Sequence, residues 1–347
     1  MFARIPYSLE NSHPRTYIPS VRVRRHTLLN KKGRKAMIEI THLSKKFEQF
    51  TAVDDLSFKV AEGEVLGFLG PNGAGKSTTM KIITGFLAPT SGSVTVDGHN
   101  LATDALAAKA LMGYLPEGAP SYGDMTTLDF LRFVGEVRGY RGDELVQRVG
   151  RVLSEVELTK VAMQKIETLS KGFKRRVGLA QAIMHDPKVL ILDEPTDGLD
   201  PNQKQHVREL IKNLARDKIV IISTHILEEV SAVCTRAVII TQGRLVADGT
   251  PAELEASSKY HQAVSLRLAQ PTDVSVHLDS LADVAGIEID AEDVLNMRIL
   301  ARPGKSIYGQ VASLAQEQNW PIAEMTVARG QLEDVFKQVT AGGVRRG

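Results

Sequence analysis

Cysteine is almost absent from this sequence, and long apolar runs are missing altogether. A single thiol, Cys234, excludes an internal disulfide framework and a multi-cysteine metal site, and it suits a reducing compartment. A formal net charge of +2 gives no general affinity for nucleic acid or for a membrane surface. Apolar runs such as Val189–Leu192 are far shorter than the roughly 20 residues of a membrane-spanning helix. Any role in a membrane process would therefore require a partner on another chain.

Positive charge is concentrated at one end of the chain. Residues 1–36 contain nine Arg and Lys against one acid, Glu10. They lack the continuous apolar segment of a secretory signal, although their composition resembles that of a transit peptide. The alternative is that Met37 is the natural start and that the preceding residues are a disordered or mis-assigned extension. We favour this second interpretation.

From residue 38 onward the apolar pattern alternates between strands and helices. Short apolar runs predict strands at 38–40, 56–60, 65–68, 94–96, 189–192, 219–223 and 237–240. Helical periodicity runs from Thr126 to about Ala182. The pattern predicts an α/β fold of RecA-like type, with an antiparallel β subdomain and a helical insertion at about 118–184. The domain built in this way spans residues 37–257.

A composition shift near residues 257–261 marks a second boundary. Beyond it, alternating apolar residues predict strands at 264–268, 297–301 and 322–327, with helices at about 273–281, 307–316 and 332–339. This pattern indicates a small α+β accessory domain of ferredoxin-like type over residues 262–340. Nothing in it has the spacing of a catalytic or metal site.

One segment has the pattern of a phosphate-binding loop between a strand and a helix. It matches G-x-x-x-x-G-K-[ST] without a mismatch, and its residues are Gly70, Pro71, Asn72, Gly73, Ala74, Gly75, Lys76 and Ser77, followed by Thr78. The glycines let successive N–H groups point inward, and the helix N-terminus adds positive potential. Lys76 would reach the β- and γ-phosphates, and the Ser77 hydroxyl would bind Mg²⁺. The segment predicts ATP and Mg²⁺ as ligands.

A second acidic site follows the apolar run 189–192. Asp193, at the end of this strand, is placed to hold Mg²⁺ through water. Glu194 would orient and polarise the attacking water. Many exposed strand ends are acidic, so this pair alone is weak evidence for a catalytic site. Its position downstream of a complete phosphate loop makes the evidence strong.

With these motifs in order, the chain resembles the ABC ATPase family. Leu169–Phe173 resembles the family signature LSGGQ, although Lys171 and Phe173 replace a Gly and the Gln. Ser170 and Gly172 are retained, and Ser170 is placed to cap a helix. The resemblance implies that Ser170 and Gly172 bind the γ-phosphate held by another subunit, so that two chains enclose two nucleotides.

Three further residues occupy positions that have roles in that family. Phe47 lies where an aromatic ring stacks on adenine, although a core position for Phe47 or nearby Phe50 is the simpler interpretation. His225 follows a strand where the family has a switch histidine that contacts the γ-phosphate. Glu117 replaces the Gln of the Q-loop, where it keeps an oxygen for Mg²⁺ or water but loses the amide donor. We expect ATP binding to survive that change.

The resemblance covers residues 37–254 closely and the remainder loosely. Residues 331–336 resemble the ending of ATPases from ABC-2-type exporters, including drug-resistance and gliding-motility branches. The implied function is ATP hydrolysis that drives export through an integral membrane permease on a separate chain. The resemblance also implies an ATP-dependent homodimer without a nucleic-acid partner, cytoplasmic and bound to the inner face of the cell membrane through its permease.

Two other functions occur among ATPases with these motifs. ABC-type ATPases of DNA maintenance insert long coiled coils before the signature, whereas fewer than about 100 positions separate Lys76 from Ser170, without sustained heptads. Translation-associated members usually have two tandem nucleotide domains, and this sequence has one phosphate loop and one signature. Neither alternative explains the ending at residues 331–336.

Overall fold

The computed structural model describes residues 36–119 and 121–341. Apart from Ala36, the predicted basic extension lies outside the described residues. Within these ranges, no helix combines the length and apolar content that crossing a bilayer requires.

The elements alternate between strand and helix along most of the chain. The strands are β1 (Ala36–Phe47), β2 (Phe50–Ala61), β3 (Val65–Leu69), β4 (Ser91–Val96), β5 (His99–Asn100), β6 (Met112–Leu115), β7 (Val189–Asp193), β8 (Ile219–Thr224), β9 (Arg236–Thr241), β10 (Arg244–Gly249), β11 (Val264–Leu268), β12 (Val284–Ile289), β13 (Asn296–Ala301) and β14 (Ile322–Val327). The α-helices are α1 (Lys76–Ile83), α2 (Ala105–Ala110), α3 (Thr127–Val137), α4 (Gly142–Glu155), α5 (Lys171–Ile183), α6 (Pro201–Leu214), α7 (Leu227–Val233), α8 (Pro251–Glu255), α9 (Ser275–Leu278), α10 (Tyr308–Glu317) and α11 (Leu332–Ala341).

The central sheet has the strand order β10-β9-β3-β8-β7-β6. Its strands are parallel except for β10, which pairs antiparallel with β9 at the edge. Strands β3, β7 and β8 are buried at every position, as expected for parallel strands covered on both faces. Because Leu69 is paired with Thr224 and Asp193 with Ser223, the carboxyl ends of these strands meet at one edge. Ligand sites of open parallel sheets lie at such an edge.

Beside the central sheet lie an antiparallel sheet and a group of helices. The antiparallel sheet has the order β2-β1-β4-β5. Helices α3, α4 and α5 all lie between β6 and β7 in sequence. Helix α4 buries Leu145, Val149, Val152 and Leu153, a spacing that places them on one helix face. The predicted fold class, with its β subdomain and helical insertion, is confirmed.

The third sheet, of order β12-β13-β11-β14, has only antiparallel pairs. Together with α9 and α10 it forms the β-α-β-β-α-β arrangement expected for a ferredoxin-like unit. Helix α11 packs elsewhere. Its Leu332 and Val335 are buried with Leu254, Ala247 and Val230, which belong to the body that contains the central sheet. Helix α11 therefore contacts the part of the molecule that carries the phosphate loop.

Candidate functional site

The phosphate loop joins β3 to α1, and Gly75 makes the last turn before the helix. Gly75 has a φ of 103°, a left-handed conformation that side chains disfavour. A Cβ atom added there would lie 2.3 Å from the carbonyl oxygen of Ala52 on β2. Only glycine allows the loop to fold this closely beneath the β1–β2 hairpin.

Replacing Gly75 with alanine is expected to abolish nucleotide binding and to lower the melting temperature, because either Ala52 or the loop must move. The matched control is Gly73→Ala, which also has a positive φ of 78° but meets no atom within 4 Å. We expect Gly73→Ala to keep most of the binding, measured by fluorescence titration with a nucleotide analogue. Equal losses in both variants would refute the importance of the close approach.

Lys76 begins α1 and is only 6% exposed. Its ammonium donates to the carbonyl oxygen of Gly70 at 2.8 Å and lies 3.4 Å from Oε1 of Glu194. The cation is therefore held at the mouth of the loop, beside the predicted catalytic carboxylate. Anionic phosphates that bind at the α1 N-terminus would meet both the backbone N–H groups and this charge.

Ser77 and Asp193 lie together next to the loop. The Ser77 hydroxyl donates to Oδ1 of Asp193 at 3.4 Å, and the Ser223 hydroxyl donates to the same oxygen. Within the described ranges, no three His, Cys, Asp or Glu residues are grouped to hold a metal ion. A hydroxyl and a carboxylate are hard oxygen donors of the kind that Mg²⁺ accepts alongside phosphates and water. This pair fits Mg²⁺ brought in with a nucleotide.

Glu194 is 7% exposed and has a φ of 48°, in the left-handed region. Its N–H donates to the carbonyl oxygen of Ser223 at 3.1 Å, which ties the end of β7 to the end of β8. Nδ1 of His225 lies 3.0 Å from Oε2 of Glu194. Since a carboxylate only accepts hydrogen bonds, Nδ1 carries the hydrogen of this contact.

These groups border a cavity of ≈ 500 Å³ between the loop, the β1–β2 hairpin and the ends of β7 and β8. The predicted site residues that line it are Asn72, Gly73, Gly75, Lys76, Ser77, Thr78, Glu117, Glu194 and His225. Gly70, Pro71 and Ala74 form the rest of the loop, and Asp193 joins the site through Ser77. The remaining predicted residues, Phe47, Ser170 and Gly172, neither line this cavity nor belong to the loop.

Phe47 and Phe50 are cross-strand neighbours at the tip of the β1–β2 hairpin. Phe47 is 44% exposed and Phe50 is 60% exposed, so neither is a core residue. Phe50 borders the cavity, whereas the Phe47 ring lies beneath the Lys45 ammonium at 5.1 Å. Adenine stacking by Phe47 stays a prediction, and Phe50 is a second aromatic ring at the same tip.

Glu117 is exposed in the loop after β6, and a buried cation lies near this loop. Arg175 of α5, 8% exposed, donates to the carbonyl oxygen of Pro116 at 3.4 Å. Burial lowers the pKa of Arg175, while nearby carboxylates, those of Asp197 and Glu117 foremost, act in the opposite direction. Arg175 is therefore a buried cation whose direct contact with this loop is the carbonyl oxygen of Pro116.

Tyr114 on β6 places a hydroxyl near the same acidic groups. Burial raises its pKa above the ordinary value, and Asp193 and Glu117 raise it further. Among the described residues, no hydrogen-bond partner was found for this buried hydroxyl. Tyr114 therefore stays protonated at neutral pH.

The signature residues form a separate site at the start of α5. Ser170 caps the helix by accepting a hydrogen bond from the N–H of Phe173 at 3.3 Å. Ser170 and Gly172 line a second cavity, of ≈ 610 Å³, which also contains Arg176 and His206. One chain therefore holds a phosphate loop and a signature that do not share a cavity.

Several polar residues of the site were absent from the sequence-based set. Asp197 lines the cavity, Ser223 binds Asp193, and Arg175 is buried beside the Glu117 loop. Of these three residues, only Ser223 could have been inferred from the sequence, because it directly precedes Thr224 and His225. Arg175 and Asp197 acquire their neighbours only through folding.

A parallel sheet with a phosphate loop, an acidic strand end and a histidine at one edge defines a P-loop ATPase. A family model described as ABC transporter matches residues 53–197. The linearmycin resistance ATP-binding protein LnrL of Bacillus subtilis (strain 168) is 33% identical over 311 residues, covering 89% of this chain and 100% of that protein. The Nod factor export ATP-binding protein I of Paraburkholderia xenovorans (strain LB400) is 34% identical over 306 residues, covering 88% and 97%.

Solved structures that are similar to this chain also come from ATP-binding proteins. An ATP binding subunit of an ABC transporter has a TM-score of 0.57 at 30% identity, covering 63% of this chain and 92% of that one. A dimeric ATP-binding cassette in a post-hydrolysis state, bound to ADP and Pi, has a TM-score of 0.56 at 26% identity, covering 62% and 98%. The chain belongs to the ATP-binding proteins of ABC transporters, and its activity is ATP hydrolysis that powers transport. The alternatives in translation or DNA maintenance find no support among these relatives.

Proposed function

We propose that this chain is the ATP-hydrolysing subunit of an exporter, acting as a pair of copies on a separate membrane-spanning permease. The observation that carries the proposal is the juxtaposition of Lys76, Glu194 and His225 in one cavity at the phosphate loop. Two observations favour export. Residues 331–336 resemble the ending of exporter ATPases, and the similarity to LnrL and to the Nod factor export protein extends over nearly the whole length of those proteins. The chain would bind to the inner face of the cell membrane through its contact with the permease.

In this proposal ATP binds with its phosphates at the N-terminus of α1. Lys76 releases its contact with Gly70 and neutralises the β- and γ-phosphates. Mg²⁺, held by Ser77 and by Asp193 directly or through water, would stabilise negative charge on the phosphates. Phe47 and the neighbouring Phe50 offer ring faces for the adenine.

Glu194 then accepts the proton of the attacking water, since its carboxylate is buried beside the phosphate loop. His225 donates from Nδ1 to the Glu194 carboxylate. Its Nε2 would contact the γ-phosphate only if it carries a hydrogen as well, since phosphate oxygens accept hydrogen bonds. Glu117, in the loop after β6, would offer a carboxylate oxygen to Mg²⁺ or to water. The products are ADP and phosphate.

The separate cavity of Ser170 and Gly172 is the reason for proposing a pair. A hydroxyl and N–H groups at a helix start form an anion site that the chain's own phosphate loop does not use. In a symmetric homodimer, the signature of each copy would complete the nucleotide site of the other. Each nucleotide would then be enclosed by two chains.

Purification of the tagged chain from detergent-solubilised membranes tests the transport role. We expect one multi-spanning membrane protein to co-purify, and the tagged Lys76→Ala variant to retain it, because docking does not require hydrolysis. Reconstituting that partner in liposomes should raise the ATPase rate of the intact chain and leave Lys76→Ala inactive. Recovery of ribosomal proteins or DNA in place of a membrane protein would contradict the proposal.

A further inference from the structure

Glu229 is a buried carboxylate that the proposed reaction does not use. It lies on α7, the short helix that follows β8 and His225, and it is 4% exposed. Both of its oxygens are occupied. Oε1 accepts a hydrogen bond from the Thr196 hydroxyl, and Oε2 accepts one from the Thr224 hydroxyl at 2.9 Å. Thr196 and Thr224 are themselves buried.

The two threonines lie next to the two reacting side chains, Thr196 in the loop after β7 and Thr224 as the last residue of β8. Thr196 is two residues after Glu194, and Thr224 directly precedes His225. Oγ1 of Thr224 also accepts from the N–H of Ile226 at 3.0 Å, which fixes its orientation. Through one carboxylate, Glu229 therefore connects the loop after β7 to the end of β8.

The loop after β7 needs such a connection because Glu194 has a left-handed backbone. A non-glycine residue persists at a φ of 48° only where the surroundings hold it. The N–H of Glu194 is fixed by Ser223, and its carbonyl oxygen accepts from the N–H of Asp197 at 3.2 Å. The bond from Thr196 to Glu229 holds the chain between these two points.

We propose that Glu229 is a positioning residue that sets the distance between the Glu194 carboxylate and the His225 ring. The inference rests on the proposed roles of Glu194 and His225. It predicts that loss of the Glu229 carboxylate loosens both loops and leaves the phosphate loop, on another part of the sheet edge, intact. Loss of the carboxylate should therefore lower kcat and leave the Kd for nucleotide unchanged.

The test compares Glu229→Ala, Glu229→Gln and the control Glu228→Ala by steady-state ATPase kinetics and by titration with a fluorescent ATP analogue. A misplacement of about 1 Å lowers turnover by about 100-fold, so we expect Glu229→Ala to lower kcat by about 10- to 100-fold. Its Kd for the analogue should stay near the wild-type value. Glu229→Gln can accept from one threonine and donate to the other, so it should retain most of the turnover. Glu228 is 77% exposed and pairs with Arg208, so Glu228→Ala should behave as the wild type.

Glu194→Gln, assayed in the same way, distinguishes failure of the site assignment from failure of the positioning role. Near-full turnover of Glu194→Gln would overturn the site assignment itself. An inactive Glu194→Gln together with a fully active Glu229→Ala would overturn only the positioning role. That role is also overturned if Glu229→Gln is as inactive as Glu229→Ala, or if affinity falls as far as kcat. Should Glu229→Ala fail to fold, Thr196→Val and Thr224→Val each remove one hydroxyl and must give the same loss of kcat at unchanged Kd.

Discussion

Replacing Lys76 with alanine is expected to lower ATP turnover by at least about 100-fold, the usual cost of losing one preorganised charge-stabilising group. Lys76 is the cation at the mouth of the phosphate loop, 3.4 Å from Glu194. Its loss leaves the β- and γ-phosphates with backbone N–H groups but without the side-chain cation. Turnover is measured by phosphate release from purified protein over a range of Mg·ATP concentrations.

The matched control is Lys81→Ala, which removes an exposed lysine from the last turn of the same helix. Lys81→Ala should retain wild-type turnover, because its ammonium does not line the cavity. The wild type, Lys76→Ala and Lys81→Ala are purified in the same way, so that any contaminating ATPase contributes equally to all three rates. Near-full turnover by Lys76→Ala would mean that the phosphate-loop assignment is wrong.

Glu194→Gln is expected to bind Mg·ATP, to hydrolyse it very slowly and to remain a closed dimer. The amide keeps the shape of the carboxylate but cannot take a proton from water. Its neighbours Lys76 and His225 stay in place to hold the nucleotide. Sedimentation with and without Mg·ATP should show a monomer converting to a dimer.

Adding Ser170→Arg should reverse this dimerisation, because a bulky cation would fill the space at the α5 start meant for the γ-phosphate. The control Glu194→Gln with Ser154→Arg adds the same side chain at an exposed position of α4 and should still dimerise. If the Ser170→Arg double variant dimerises as readily as Glu194→Gln, the proposed role of Ser170 fails. If ATP binds but no variant dimerises, the pair is not formed by this chain alone.

The sequence predicted those features of the site that are contiguous in the chain. Residues 70–78 and the pair at 193–194 form complete motifs between recognisable elements, so their positions followed from local pattern and turn chemistry. The residues that organise the site were not predictable in this way. Thr196 and Glu229 are 33 positions apart, and their contact depends on the pairing of β7 with β8.

Some elements also escaped prediction for physical reasons. Helix α6 buries Val207, Leu210 and Ile211, and its first six residues contain no large apolar side chain, so its apolar pattern is weak. The predicted helix at 273–281 is restricted to the single turn of α9. The final helix was predicted at 332–339, but its packing on the residues around Leu254 depends on tertiary contacts that periodicity does not encode.

Mixing two inactive variants tests the shared site most directly. Lys76→Ala retains Ser170, and Ser170→Arg retains Lys76, so each mixed pair contains one intact composite site. At equal concentrations half of the pairs are mixed, and we predict recovery of up to about a quarter of the wild-type ATPase rate. Each variant alone should stay inactive at the same total concentration. A mixture no more active than its separate components, or full turnover by Ser170→Arg alone, would contradict the account.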